Sequence, residues 1–221
     1  MENSRSTYHK SILFIVILGA LTAIGPLSID MFLPGLPNIK NDFDTTASNA
    51  QLTISLFMVG LAFGNLFAGP ISDASGRKKP LLIAMIIFTL ASLGIIFVTN
   101  IWIMIALRLI QGLTGGAGAV ISRAIASDMY SGNDLTNFLS LLMLVNGVAP
   151  VIAPALGGII LSFATWRMVF IILTVFGLLM FVGTLFKVPE SLENEHRANS
   201  NIGTMFKNFK DLFATPRFVL P

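Results

Sequence analysis

The chain lacks cysteine and carries only two histidines among 221 residues. No thiol is available as a nucleophile, metal ligand or disulfide partner, and His9 and His196 stand in opposite tails. No serine elbow and no Walker A loop appears, and no strand pattern precedes Gly115, Gly116 and Gly118 to make them a nucleotide-binding turn. With the common enzyme constellations missing, the chain reads as a non-enzyme that calls for no cofactor and no metal. Charge is also scarce, at 11% against the roughly 25% of a globular domain. With 54% hydrophobic residues and a mean hydropathy of +0.81, one water-soluble core cannot hide the apolar surface. A bundle in lipid can, and it needs no disulfide staple.

The charge that is absent is absent in blocks. Residues 11–29, 45–72, 80–107, 135–166 and 168–186 contain no Asp, Glu, Lys or Arg. A crossing needs about 20 apolar residues, so each block holds at least one. The pattern predicts an all-α membrane protein with six transmembrane helices near 11–35, 50–71, 79–99, 101–126, 136–162 and 167–187. The first run, "SILFIVILGALTAIGPLSI", is longer than a signal-peptide core of about 7 to 15 residues and ends without a small-residue cleavage site. It is read as a retained helix.

Short turns make neighbouring helices antiparallel. Arg5, Lys10, Arg77, Lys78, Lys79, Arg123, Lys187, Arg197, Lys207, Lys210 and Arg217 then fall on one side, and only Lys40 and Arg167 on the other. The positive-inside rule places both termini in the cytoplasm of a plasma-membrane protein. The same distribution sets nucleic acid aside as a partner, although the pI is near 9.5. Residues 1–188 read as the six-helix bundle and 189–221 as a polar cytoplasmic linker, amphipathic around Met205 to Phe213. "GPISDASGR" after the second helix and "GGIILSFATWR" after the fifth echo one another, as two three-helix units of inverted topology would.

The densest charge sits in "FAGPISDASGRKKPLL", residues 67–82. A topogenic loop explains part of it. Gly69 offers room for a neighbouring helix, Gly76 suits a positive-φ turn, and Asp73 stands four residues before Arg77, the spacing of a pair across one helical turn. Asp30 and Arg108 are the two ionisable residues inside crossings, where an unpaired charge costs about 2.5 to 3.5 kcal/mol on insertion scales. Both sit about 12 Å below the outer surface at 1.5 Å per residue, which makes them candidate partners. Two plainer readings stay open: the first helix ends at Asp30, whose carboxylate reaches the interface, and Arg108 makes a structural contact inside the bundle.

"GPISDASGRKKP" resembles the G-x-x-x-D-x-x-G-R-[KR] signature between the second and third helices of the major facilitator superfamily. "SIDMFLPGLP" is similar to the first-helix segment of its drug-exporting members, "ALRLIQG" to the fourth-helix R-x-x-Q-G signature, and "APVIAPALGG" to the antiporter motif, with Ala149 and Ala153 replacing its leading glycines. "SRAIASDMY" and the Trp166–Arg167 pair resemble the bicyclomycin and chloramphenicol resistance branch of the drug/proton antiporters; Trp166 is read equally as an interfacial anchor. The resemblance implies the amino-terminal half of a twelve-helix transporter built on a 3+3 inverted repeat. It implies a cytoplasmic gate of Gly69, Asp73, Gly76, Arg77 and Asp128, in which Asp73 docks on the other half and Arg77 pairs with Asp128. It also implies a proton or substrate site of Asp30, Arg108 and Gln111, and an antiporter helix marked by Pro150, Pro154, Gly157 and Gly158.

A carboxylate in a low-dielectric site prefers its neutral form and a nearby guanidinium favours the charged one, so such a pair can take and release a proton. The expected function is drug:proton antiport of a small lipophilic substrate, with the lipid bilayer, protons and either a carboxy-terminal half or a second copy of the chain as partners. Import or export of a sugar or other metabolite stays open, as does an inactive half. Met31, Phe32, Phe57 and Met143 line a pocket, pack in the bundle or face lipid.

Overall fold

The computed structural model describes residues 12–192. Six long helices make up the described chain: α1 (Ile12–Asp30), α2 (Ala47–Ser75), α3 (Lys78–Ile96), α4 (Ile101–Met129), α5 (Gly132–Phe163) and α6 (Arg167–Lys187). Each is long and apolar enough to cross a membrane. The basic tail residues, the two histidines and the amphipathic stretch Met205 to Phe213 lie outside the described residues.

The helix ends follow local chemistry. Thr46 caps α2 by accepting from the Asn49 backbone N–H at 3.2 Å, and Asn100 caps α4 by accepting from Trp102 N–H at 2.8 Å. Gly76 closes α2 at φ 88°, a conformation that suits glycine. Helix α2 runs three to four residues further at each end than the charge gaps suggested, passing through Pro70. Helix α1 is shorter than expected. Its α-helical ladder ends with the Met31 N–H bond to the Leu27 carbonyl, ahead of Pro34, which disfavours the α conformation at Leu33 and has no N–H to give the Asp30 carbonyl. The chain continues as a 3-10 turn (Leu33–Gly35) and a short helix (Leu36–Asp42).

Packing sets α1 and α4 at the centre, the most buried spans, with α2 and α5 the most open. The main pairs are α2 with α4, α1 with α5, α3 with α6, α3 with α4 and α1 with α4. Exchanging α1–α3 for α4–α6 turns the α1–α5 pair into α4–α2 and leaves α3–α6 and α1–α4 unchanged, whereas α3–α4 maps onto the much weaker α1–α6 contact. Four of the five pairs thus follow the pattern of two three-helix units, and the two units run in opposite senses because successive helices alternate in direction.

The tightest crossing joins α2 and α4. A Cβ added at Gly60, Gly64, Gly112 or Gly116 would lie 2.1, 2.1, 2.0 and 2.5 Å from the carbonyl oxygens of Leu109, Leu113, Phe57 and Leu61 respectively. The glycines of each helix thus seat the backbone of the other, which is how lipid-embedded helices gain van der Waals contact without a hydrophobic drive. Gly60 and Gly64 escaped the sequence reading, which on α2 singled out only Gly69 as room for a neighbouring helix. Gly112→Ala is expected to destabilise the detergent-purified chain by about 1–3 kcal/mol in thermal unfolding. Gly158→Ala, with nothing within 4 Å of the new methyl, should not. Equal midpoints for the two variants would refute the close crossing.

Candidate functional site

Arg108 is fully buried in the first third of α4. Its guanidinium carbon lies 4.5 Å from the ring centroids of both Phe32 and Phe57 and 5.6 Å from that of Phe170. Such ring faces attract a cation by about 0.5–2 kcal/mol each, more as water is excluded. Nη1 donates to the Ser28 carbonyl at 3.1 Å and to Gln111 Oε1 at 2.8 Å, and Gln111 Nε2 donates to Ser92 Oγ at 2.7 Å. Among the described residues Nε and Nη2 have no acceptor, and Ser28 Oγ nearby has no partner either.

The expected pair between Asp30 and Arg108 is not formed. Asp30 makes no hydrogen bond or ion pair among the described residues and is partly exposed. The reason is the break in α1. The Phe32 N–H turns to the Ile29 carbonyl at 3.2 Å, an i−3 bond, which releases the Ser28 carbonyl that an α-helix would have given to Phe32. Arg108 takes that freed acceptor. Of the residues named as pocket or packing candidates, Met31, Phe32 and Phe57 are buried, and Met143 is exposed on α5.

Helix α5 supports the break from behind. A Cβ on Gly157 would sit 2.2 Å from the Met31 carbonyl oxygen, so this glycine admits the backbone of the turn that follows Asp30. Ala149 and Ala153 face inward on the same side. Pro150 and Gly158 are exposed and Pro154 is half-buried.

The charged turn gathers four segments. Arg77 is buried and donates from Nε to Asp128 Oδ2 at 2.9 Å, from Nη2 to Asp128 Oδ1 at 3.4 Å, from Nη1 to Ser72 Oγ at 2.8 Å, and from Nη1 to Asp73. Burial works to lower its pKa, but the hydrogen bonds and charge of Asp128, then of Asp73, more than offset that and hold it above its usual value. Asp73 stays half-exposed. Gly69 has only Val120 within reach, 3.9 Å from an added Cβ, so no backbone approaches it closely among the described residues. Glu190, just past α6, was not singled out from the sequence. Its carboxylate accepts from the backbone N–H groups of Arg77 at 2.7 Å and Lys78 at 3.2 Å and so caps α3. Ser191 Oγ donates to Asp128 Oδ2 at 2.9 Å, and Lys78 Nζ donates to the Leu185 carbonyl at 2.9 Å.

A second cluster, of which the sequence reading named Trp166 and Arg167 but missed Asp42, lies at the opposite end of the bundle. Trp166 Nε1 donates to Asp42 Oδ2 at 2.9 Å and Arg167 Nη1 donates to the same oxygen at 2.5 Å. Arg167 stacks over the Trp166 ring at 4.3 Å. Trp166 is only 2% exposed, which removes it from the role of a lipid-facing anchor.

Six antiparallel crossings around a buried arginine, tied at one end by a charged turn, make a six-helix membrane bundle. A model of the Major Facilitator Superfamily matches residues 18–220, and the chain belongs to that family. It is 43% identical over 92% of its length to the uncharacterized MFS-type transporter YdgK of Bacillus subtilis, covering 51% of that protein. It is 34% identical over 95% of its length to a bicyclomycin resistance protein homolog of Haemophilus influenzae, covering 52%. Multidrug resistance protein D of Escherichia coli is 25% identical over 95% of the chain, again with 52% covered. The chain spans about half the length of these curated relatives. The fold matches the crystal structure of the human organic anion transporter MFSD10 (TETRAN) with a TM-score of 0.63 at 18% identity, over 87% of this chain and 50% of that one.

Removing the Glu190 carboxylate leaves two backbone donors of α3 without their acceptor. Glu190→Ala is expected to cost about 1 kcal/mol and to speed amide exchange at Arg77 and Lys78. Glu190→Gln, which keeps an accepting oxygen, should cost less. Unchanged exchange at both amides in the alanine variant would remove the cap.

Proposed function

We propose that the chain is the amino-terminal six-helix half of a proton-coupled exporter of small lipophilic molecules, set in the plasma membrane with both ends of the bundle in the cytoplasm. The observation that carries the reading is the incomplete coordination of Arg108, fully buried with Nε and Nη2 unpaired beside a helix break that ends in Asp30. Those two N–H groups lie on one edge of a guanidinium, the edge whose fork fits a carboxylate. Asp30 is two residues from Ser28, whose carbonyl already touches Arg108. A change of backbone dihedrals at Ile29 and Asp30, with rotation of the Asp30 side chain, would carry the ionised carboxylate toward the fork, and protonation would remove the attraction and let it withdraw. A proton taken on one side and released on the other would then drive the exchange.

Export of drug-like compounds is supported by the names of two relatives, a bicyclomycin resistance protein homolog and a multidrug resistance protein, and by the Gly157 contact that holds the α1 break in place. Alternating access rocks two bundles about a midplane site. The second bundle would cover the open apolar faces of α2 and α5 and supply a partner for the half-exposed Asp73. In this reading the Arg77–Asp128 pair keeps the turn rigid, so that Asp73 can latch and release.

The test is efflux from everted membrane vesicles containing the transporter joined to its second half. Asp30→Asn is expected to abolish transport driven by a proton gradient while downhill movement of substrate persists. Full proton-driven efflux in that variant would sink the assignment. The chain expressed without a second half should give no efflux.

A further inference from the structure

From the structure we infer that Asp42, Trp166 and Arg167 form an outer clasp that positions the Arg108 box through a column of aromatic rings, making Trp166 and Asp42 positioning residues for a site they do not touch. The column is continuous. Asp42 holds the Trp166 indole N–H at 2.9 Å. The Trp166 ring meets Phe170 edge-on at 5.9 Å, Phe170 meets Phe32 edge-on at 5.3 Å, and Phe32 lies 4.5 Å from the Arg108 guanidinium carbon. Trp166, Phe170, Phe32 and Arg108 are all at most 2% exposed, so no water layer interrupts the chain of contacts. Edge-to-face packing of this kind depends on ring orientation as well as on burial, so tilting one ring disturbs the next.

The clasp also fixes three helices at that end. Asp42 ends the extension of α1, Trp166 and Arg167 open α6, and Arg167 Nη2 reaches the Val98 carbonyl just past α3 at 3.5 Å. The extension of α1 is tightly seated: Ile39 is fully buried, Phe43 packs on the Trp166 ring at 5.6 Å, and an added Cβ on Gly35 would meet Trp166 Cβ at 3.4 Å. The segment from Phe32 to Asp42 is therefore a lever pinned at its far end by the clasp and at its near end by the contact between Gly157 and Met31. Phe32, at the near end, is the ring that covers Arg108. Loss of the Asp42 anchor frees this lever and lets Phe32 leave the guanidinium.

Trp166 reports on its own column. Besides it the chain has only Trp102, which is 60% exposed, so Trp102→Phe leaves one indole. In this single-tryptophan background, with the whole chain purified in detergent and checked for a single size-exclusion peak, Arg108→Lys and Phe32→Leu perturb the arginine end of the column without touching Trp166. Both are expected to shift Trp166 emission to the red and to raise its acrylamide quenching about twofold. Asp42→Asn should do the same from the clasp end, and Asp42→Glu should restore the parent spectrum. Parent-like emission and quenching in both Arg108→Lys and Phe32→Leu would overturn the coupling and leave the clasp a local contact. The readout is a spectrum and not a flux, so it stands or falls separately from the transport assignment.

Discussion

The bundle is organised around the contact between the Phe57 carbonyl and Gly112. Because position 112 has no side chain, α2 comes close enough to lay the Phe57 ring over the guanidinium of Arg108, one turn away on α4. A β-carbon there would separate the helices and admit solvent to the cation. Close backbone packing thus lets a full charge sit in a dry interior, where on insertion scales it costs about 2.5 to 3.5 kcal/mol. Gln111, the Ser28 carbonyl and three rings compensate part of that cost, and the unpaired edge of the guanidinium leaves the rest standing. A residue left in that condition is poised to respond to any carboxylate brought near it.

The two charged clusters belong to different electrostatic regimes. Arg77 lies between α2 and α3 and finds two carboxylates, a serine and a capped backbone, so its pKa rises despite burial. Arg108 finds only neutral partners among the described residues. The first arrangement is rigid because nearly every donor is satisfied. The second can be redirected because two are not. In the proposed antiport cycle the stiff turn would transmit force and the unsatisfied centre would sense the proton.

Much of this was legible from the residues. Five blocks without charge marked five of the six crossings, because ionised groups are costly in lipid, the fourth was read from the apolar run that Arg108 interrupts, and the spacing of Asp73 and Arg77 announced their pairing. The charge at Asp128 could be matched to Arg77 only through family resemblance, since 51 residues separate them. The break in α1 was half visible in Pro34 and Pro37. Its consequence, a carbonyl at Ser28 left free for Arg108, depends on which amide bonds which oxygen, and composition does not carry that information. Gly60 and Gly64 were missed because a glycine in an apolar run looks the same whether it faces lipid or another backbone. Glu190 and Asp42 were missed because an acid just beyond a helix is common, and only the three-dimensional arrangement gives either one its partner.

The capping of α3 by Glu190 has a bearing on how the chain is made. The acceptor lies 113 residues after the Arg77 amide that it serves. At translation rates of about 5 to 20 residues per second, the turn waits roughly 6 to 20 s for its cap. Through that interval the start of α3 must rely on water, and α4, α5 and α6 have to enter the membrane before the segment carrying Glu190 can reach back. Closure of the turn therefore marks the completion of the bundle, and a nascent chain stalled before α6 would present a loosely held α3 terminus to the quality-control machinery of the membrane.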